Sequence, residues 1–184
     1  MTQTQKDVVL LSFIVCLKDN GSWCGETHIQ KSAFFFQELL GVPLGFDFIL
    51  YKHGPYSFDL KDGVTAQMAD GLLAVTPREP YGPSLFPGTN SKTLLDRYPK
   101  TRLQYQRQAE FIASRLAAQN IAGLERLATA LFVTRRETTN GGVDERAARL
   151  NTLKPHIPLD VARAAVVEVD QLIADSQPYV CSSG

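Results

Sequence analysis

Three cysteines, three histidines and a few isolated lysines carry most of the chemistry this sequence could offer. Trp23-Cys24-Gly25 would suit a C-x-x-C redox motif, but Thr27 stands where the resolving cysteine is needed, and without a second thiol the disulfide cycle cannot run. Cys24 and His28 have C-x3-H spacing; a structural zinc site wants four close ligands, and only His53, His156, Cys16 and Cys181 remain to supply two. A Cys24–His28 or Cys24–His53 nucleophile pair would need an orienting group and an oxyanion site that the sequence does not place. No P-loop, GxGxxG or HExxH motif is present. The expectation is a non-enzymatic chain with no metal and no cofactor, in which the role of Cys24 stays open.

Residues suited to binding are grouped differently. His53 and Tyr56 flank Gly54-Pro55, at the kind of element end that often carries function; the alternative is that the imidazole and phenol cap the turn by hydrogen bonds. Lys31 could pair with an acid such as Asp59, point at a phosphate, or be solvated. Lys154-Pro155-His156 reads as the end of one helix and the approach to the next, because proline discourages helix at the residue before it.

These residues are positioned by a corner, Phe46 to Leu60 (FDFILYKHGPYSFDL). Phe46, Phe48 and Leu50 alternate with Asp47, Ile49 and Tyr51, as in a half-buried strand. Gly54-Pro55 ends the run, and Ser57 is suited to cap the helix that follows, predicted to about Asp70 with Leu60, Val64, Met68 and Leu72 as its buried row. Upstream, Lys6 to Lys18 and Thr27 to about Leu40 read as helices; Ile29, Ala33, Phe36 and Leu40, widened by Phe34 and Phe35, make a face too broad for an isolated amphipathic helix. LLAVT, residues 72–76, is strand-like. PREPYGPSLFPGTN is then a loop or β-wing, with Ser84 to Phe86 as a short return strand. That order is the order of a winged helix-turn-helix.

The second half is helical. Pro99 suits a first turn, and a long helix is predicted over Thr101 to Asn120 with Tyr105, Ala109, Ile112 and Leu116 aligned. Further helices follow near Gly123 to Arg135, Val143 to Leu153 and Leu159 to Ser176, with a break at Thr138–Gly142 and a frayed tail from Gln177. The fold expected is mainly α (α+β): residues 1–91 form a winged-helix-like half with a small β-wing and residues 92–184 a helical half, packed as one compact domain. At 184 residues and 44% hydrophobic the chain can bury a real core. The apolar run Val8 to Leu17 is far short of a membrane span and lacks a basic leader and cleavage site, so a soluble, cytoplasmic protein is expected. Sparse, odd-numbered cysteines fit a reducing compartment.

The 19 basic and 19 acidic residues balance, but unevenly. Residues 1–91 carry 6 basic and 9 acidic side chains, 92–136 carry 9 and 3, and 137–184 carry 4 and 7. Lys92, Arg97, Lys100, Arg102 and Arg107 head the basic block. They could track phosphates, or form an exposed face that packs on the acidic parts of this chain or of a second copy. The helix after Ser57, by contrast, sets Lys61 against Asp59, Asp62 and Asp70, a poor match to a phosphate-lined groove.

HIQKSAFFFQELLG with Lys31, then FILYKHGPYSFDL and GLLAV, and later LERLATALFVTRR and LNTLKPHIP, together resemble the bacterial YwgA-like proteins and, more distantly, the SocA/Panacea antitoxin-type domains, over residues 8 to 175. The resemblance implies a mostly helical, winged-helix-like domain associated with regulation, toxin neutralisation or mobile-element defence. Two functions follow as expectations. The first is a module that binds a protein partner, a toxin or defence component, with Lys31, His53, Tyr56 and Ser57 as contacts. The second is a DNA-binding regulator using the basic block; a homo-oligomer is compatible with either.

Overall fold

The computed structural model describes residues 1–78, 81–137 and 141–181. The hydrophobic stretch that looked too wide for one helix face is the central helix of the fold. Helix α1 (Gln3–Asp19) opens on a capping box in which Thr2 and Gln5 satisfy each other's backbone amides, and α2 (Glu26–Glu38) follows. In α2 every residue from His28 to Phe36 is buried, because α3, α6, α7 and two strands surround it. Phe13 of α1 stacks on Phe36 at 4.2 Å, and Phe34 meets Phe35, Phe48 and Phe132.

The corner is a hairpin, built differently from the sequence expectation. Strands β1 (Ile49–Tyr51) and β2 (Gly54–Tyr56) pair antiparallel, with Ile49 opposite Tyr56 and Tyr51 opposite Gly54. Lys52 and His53 therefore make the turn, and Gly54-Pro55 belongs to the returning strand. Gly54 takes φ +88°, a conformation open to glycine at little cost. The alternation holds: Phe48 is fully buried while Asp47 and Ile49 face outward. Ser57 caps α3 (Phe58–Ala69) by accepting from the Leu60 amide. Of the expected row on α3, Leu60 is buried and Val64 and Met68 are half-buried.

A second hairpin, β3 (Leu73–Arg78) with β4 (Tyr81–Pro87), occupies the predicted wing, its return strand longer than Ser84 to Phe86; Glu79 and Pro80 lie outside the described residues. It is tied to the α1–α2 connection by Leu85 N to Cys24 O, Ser84 Oγ to Trp23 O and Lys18 Nζ to Ser84 Oγ.

A short helix, α4 (Ser91–Arg97), comes first, and the single long helix expected over Thr101 to Asn120 is divided between α5 (Pro99–Gln104) and α6 (Gln106–Leu116). α5 buries no residue, so nothing in the core holds it collinear with α6, and the chain bends at Tyr105 (φ −119°, ψ 22°). Asn120 caps α7 (Ile121–Phe132), which runs on as a π-helical turn to Glu137. α8 (Val143–Leu153) and α9 (Leu159–Ser176) follow as predicted, and Thr138, Thr139 and Asn140 of the expected break lie outside the described residues. The tail is docked as far as Cys181: Tyr179 stacks on Phe111 at 4.7 Å and Cys181 N donates to Leu40 O. The fold is thus mainly helical with two small antiparallel hairpins. α1 packs on α6 and α2 on α7, so the described residues of the first half and of the second share one core. No described helix is long and apolar enough to cross a membrane.

Candidate functional site

A three-residue hairpin leaves carbonyls that its own ladder cannot satisfy, and a buried carbonyl needs a donor. Two lysines supply them here. Lys31 of α2, 2% exposed, donates from Nζ to Pro55 O at 2.9 Å. Lys154, just past α8, donates to Tyr51 O at 2.9 Å and to Lys52 O. Gln30 completes the lock by accepting from Ser57 N and donating to Ser57 O, each at 2.9 Å.

Two buried ammonium groups need a counter-charge, which comes from Glu125 of α7. Its carboxylate lies 3.6 Å from Lys154 Nζ and from His156 Nε2, and 3.8 Å from His53 Nδ1. Its Oε1 is buried and accepts no hydrogen bond from the described residues, so these neighbours act on it by charge across the gaps. Burial lowers the pKa of Lys31 to about 8, with Glu125 opposing the shift and Lys154 adding to it. Gly54 closes over this centre: a Cβ there would stand 3.1 Å from Thr129 Oγ1 and 3.5 Å from Lys31 Cε.

Outside the charged centre the hairpin shows a cluster of rings. Tyr51 is 54% and Phe58 52% exposed, and Tyr56 lies between them, with ring centroids 5.1 to 5.8 Å apart. Tyr56 donates its hydroxyl to Glu26 at 2.7 Å. Partial burial, that bond, and the proximity of Glu26, Tyr51 and Asp62 all raise the phenol's pKa.

Of the residues expected to contact a partner, His53 and Tyr56 reach the surface. Lys31 and Ser57 do not, and the expectation is corrected for both: each is buried, one holding the hairpin and the other capping α3. Lys31 neither pairs with Asp59 nor is solvated. Sequence reasoning missed Tyr51 and Phe58 as surface rings, and Glu125 and Lys154 as the buried counterparts of Lys31. Glu125 was detectable in principle as the one acid on the row shared with Thr129 and Phe132, on a helix whose inward positions otherwise carry no charge.

The remaining candidates are separate from this corner. Cys24 is fully buried, its thiol donating to Ile14 O at 3.8 Å, and burial raises its pKa, which disfavours the thiolate. His28 turns from it to Ser22 Oγ at 2.9 Å and Gln119 O at 2.8 Å. Among the described residues no group of three His, Cys, Asp or Glu is arranged to hold a metal ion. Lys92, Arg97, Lys100, Arg102 and Arg107 are all exposed along α4 to α6. Lys92 pairs with Asp96, Arg102 lines a cleft beside Asp19 and Glu110, and Arg107 lies 5.5 Å over the Tyr179 ring. No protein-family model matches the chain, and no curated protein does either.

Proposed function

We propose that this chain is a non-enzymatic regulatory module of winged-helix type that acts by binding a protein, through the corner formed by the β1–β2 hairpin and the start of α3. One observation carries the reading: exposed Tyr51 and Phe58 flank the half-buried Tyr56 where the β1–β2 hairpin runs into α3, and the hairpin's inward carbonyls are tied to Lys31 and Lys154. Aromatic side chains pre-set on a rigid support make strong interface anchors, since little conformational freedom is lost on binding. The order α2, α3, β3–β4 supports the winged-helix reading. In that arrangement α3 would face DNA with Asp59, Asp62 and Asp70 exposed beside Lys61, which favours a protein over a nucleic acid. The resemblance to antitoxin-type domains makes a toxin or a defence component, met in the cytoplasm, the partner class of choice.

The test is recovery of the tagged chain from its native cells, with and without Tyr51→Ala/Phe58→Ala. One protein should copurify with the parent chain and be lost from the variant. Recovery of the parent chain alone, combined with tight DNA binding in vitro, would overturn the reading.

A second reading, a DNA-binding regulator, draws on the exposure of the five basic residues of α4 to α6. Arg97 and Lys100 have neither an ion pair nor a ring contact among the described residues. DNA binding that weakens steeply with salt and with Arg97→Ala/Lys100→Ala would support it.

A further inference from the structure

Between α2, α3 and the β3–β4 hairpin runs an apolar groove of about 160 Å³, lined by Ile29, Leu60, Val64, Met68, Val75 and Leu85. Glu26 also lines it and accepts the Tyr56 hydroxyl, so groove and aromatic corner form one continuous surface. Neither Glu26 nor Asp62 has an ion-pair partner among the described residues. The charges that act on the Tyr56 hydroxyl, those of Glu26 and Asp62, are both negative. The cations facing this surface are Lys31, buried behind Glu26, and Lys61 on the groove.

The geometry points to a partner segment that carries a large apolar side chain and, next to it, an arginine or lysine: the apolar group fills the groove, and the cation lies over the Tyr56 and Phe58 rings between Glu26 and Asp62. This rests on the corner being a protein contact and adds the chemistry of what it contacts. Ring faces attract cations, most strongly when water is displaced. A purely apolar segment would cover two carboxylates and leave them without an ion-pair partner, and an acidic segment would be repelled by them.

The test is selection of short random displayed peptides on the immobilised full chain, followed by titration of the enriched peptides. The expected consensus pairs Leu, Ile or Phe with Arg or Lys. Binding should weaken at least tenfold on Glu26→Gln/Asp62→Asn and on Val64→Glu, fall with added salt, and hold or tighten on Lys61→Ala, each variant being confirmed as folded by circular dichroism. Glutamine at position 26 keeps an acceptor for Tyr56, so loss there reports charge. Peptides that need Tyr51 and Phe58 but lack a cation, or keep their affinity on Glu26→Gln/Asp62→Asn, overturn this inference and leave the corner standing as a contact. Peptides indifferent to Tyr51→Ala/Phe58→Ala, or no enrichment at all, count against both.

Discussion

Lys31 and Lys154 reach the same hairpin from opposite ends of the chain, each with a 2.9 Å bond from its ammonium to a backbone carbonyl, Pro55 O for one and Tyr51 O for the other. Glu125 stands with them as the compensating charge. A surface of three aromatic rings is thereby fixed on a hairpin too short to be stable alone.

Glu125→Gln should therefore cost more than a surface carboxylate. It leaves two buried ammonium groups without their counter-charge, and removing one partner of a buried ion pair typically destabilises by about 3–5 kcal/mol. Urea denaturation measures this; a loss below about 1 kcal/mol would show that Glu125 is not needed for the lysines.

Lys31 gives the stability a pH signature of unusual sign. Its pKa is lowered in the fold to about 8 from the ordinary 10.5, so between these values the unfolded chain binds more protons. The Lys31 contribution to stability should then rise as pH increases through that window, by about 1 kcal/mol per pH unit. The neutral amine still donates to Pro55 O. Urea midpoints of the parent chain and Lys31→Met compared from pH 7.5 to 9.5 isolate the effect: the difference should shift in favour of the parent as pH rises, and a shift the other way contradicts the assignment.

Gly54→Ala places a methyl group 3.1 Å from Thr129 Oγ1 and forces a non-glycine residue to φ +88°. A destabilisation of about 1–3 kcal/mol is expected, with faster hydrogen exchange confined to the Ile49–Ser57 segment. Uniform exchange across the fold would mean that the hairpin opens only with the core.

Much of the scaffold was legible because punctuation residues sit where they act. Ser57 caps α3, Gly142 precedes α8 and Pro158 precedes α9. The broad face of Ile29, Ala33 and Phe34 to Phe36 already implied a surrounded helix. The bend at Tyr105 was not legible, because the apolar row from Tyr105 to Leu116 continues one helical period and nothing in the residue types marks where α5 leaves the core. Nor was the site. His53 and Tyr56 were candidates by their place beside a turn, and they do reach the surface, but Lys31 and Lys154 are defined by backbone carbonyls, and a carbonyl has no signature in sequence. The turn itself moved to Lys52-His53 because Gly54 spends its positive φ on entering β2, packed against Thr129 and Lys31.

Burial of Cys24 predicts slow thiol chemistry. Iodoacetamide labelling followed by mass spectrometry should modify the half-buried Cys181 before Cys24 in the native protein, and Cys24→Ser should leave the proposed partner binding intact. Rapid labelling of Cys24 at neutral pH would reopen it as a reactive group.

The most direct measurement of the central claim is the affinity of the purified copurifying partner for Tyr51→Ala/Phe58→Ala, set beside the thermal stability of the same variant. Both rings are more than half exposed, so the fold should be little changed, with the melting temperature within a few degrees of the parent. Affinity should fall at least a hundredfold, as expected for two aromatic anchors. Unchanged affinity in a folded variant would contradict the account.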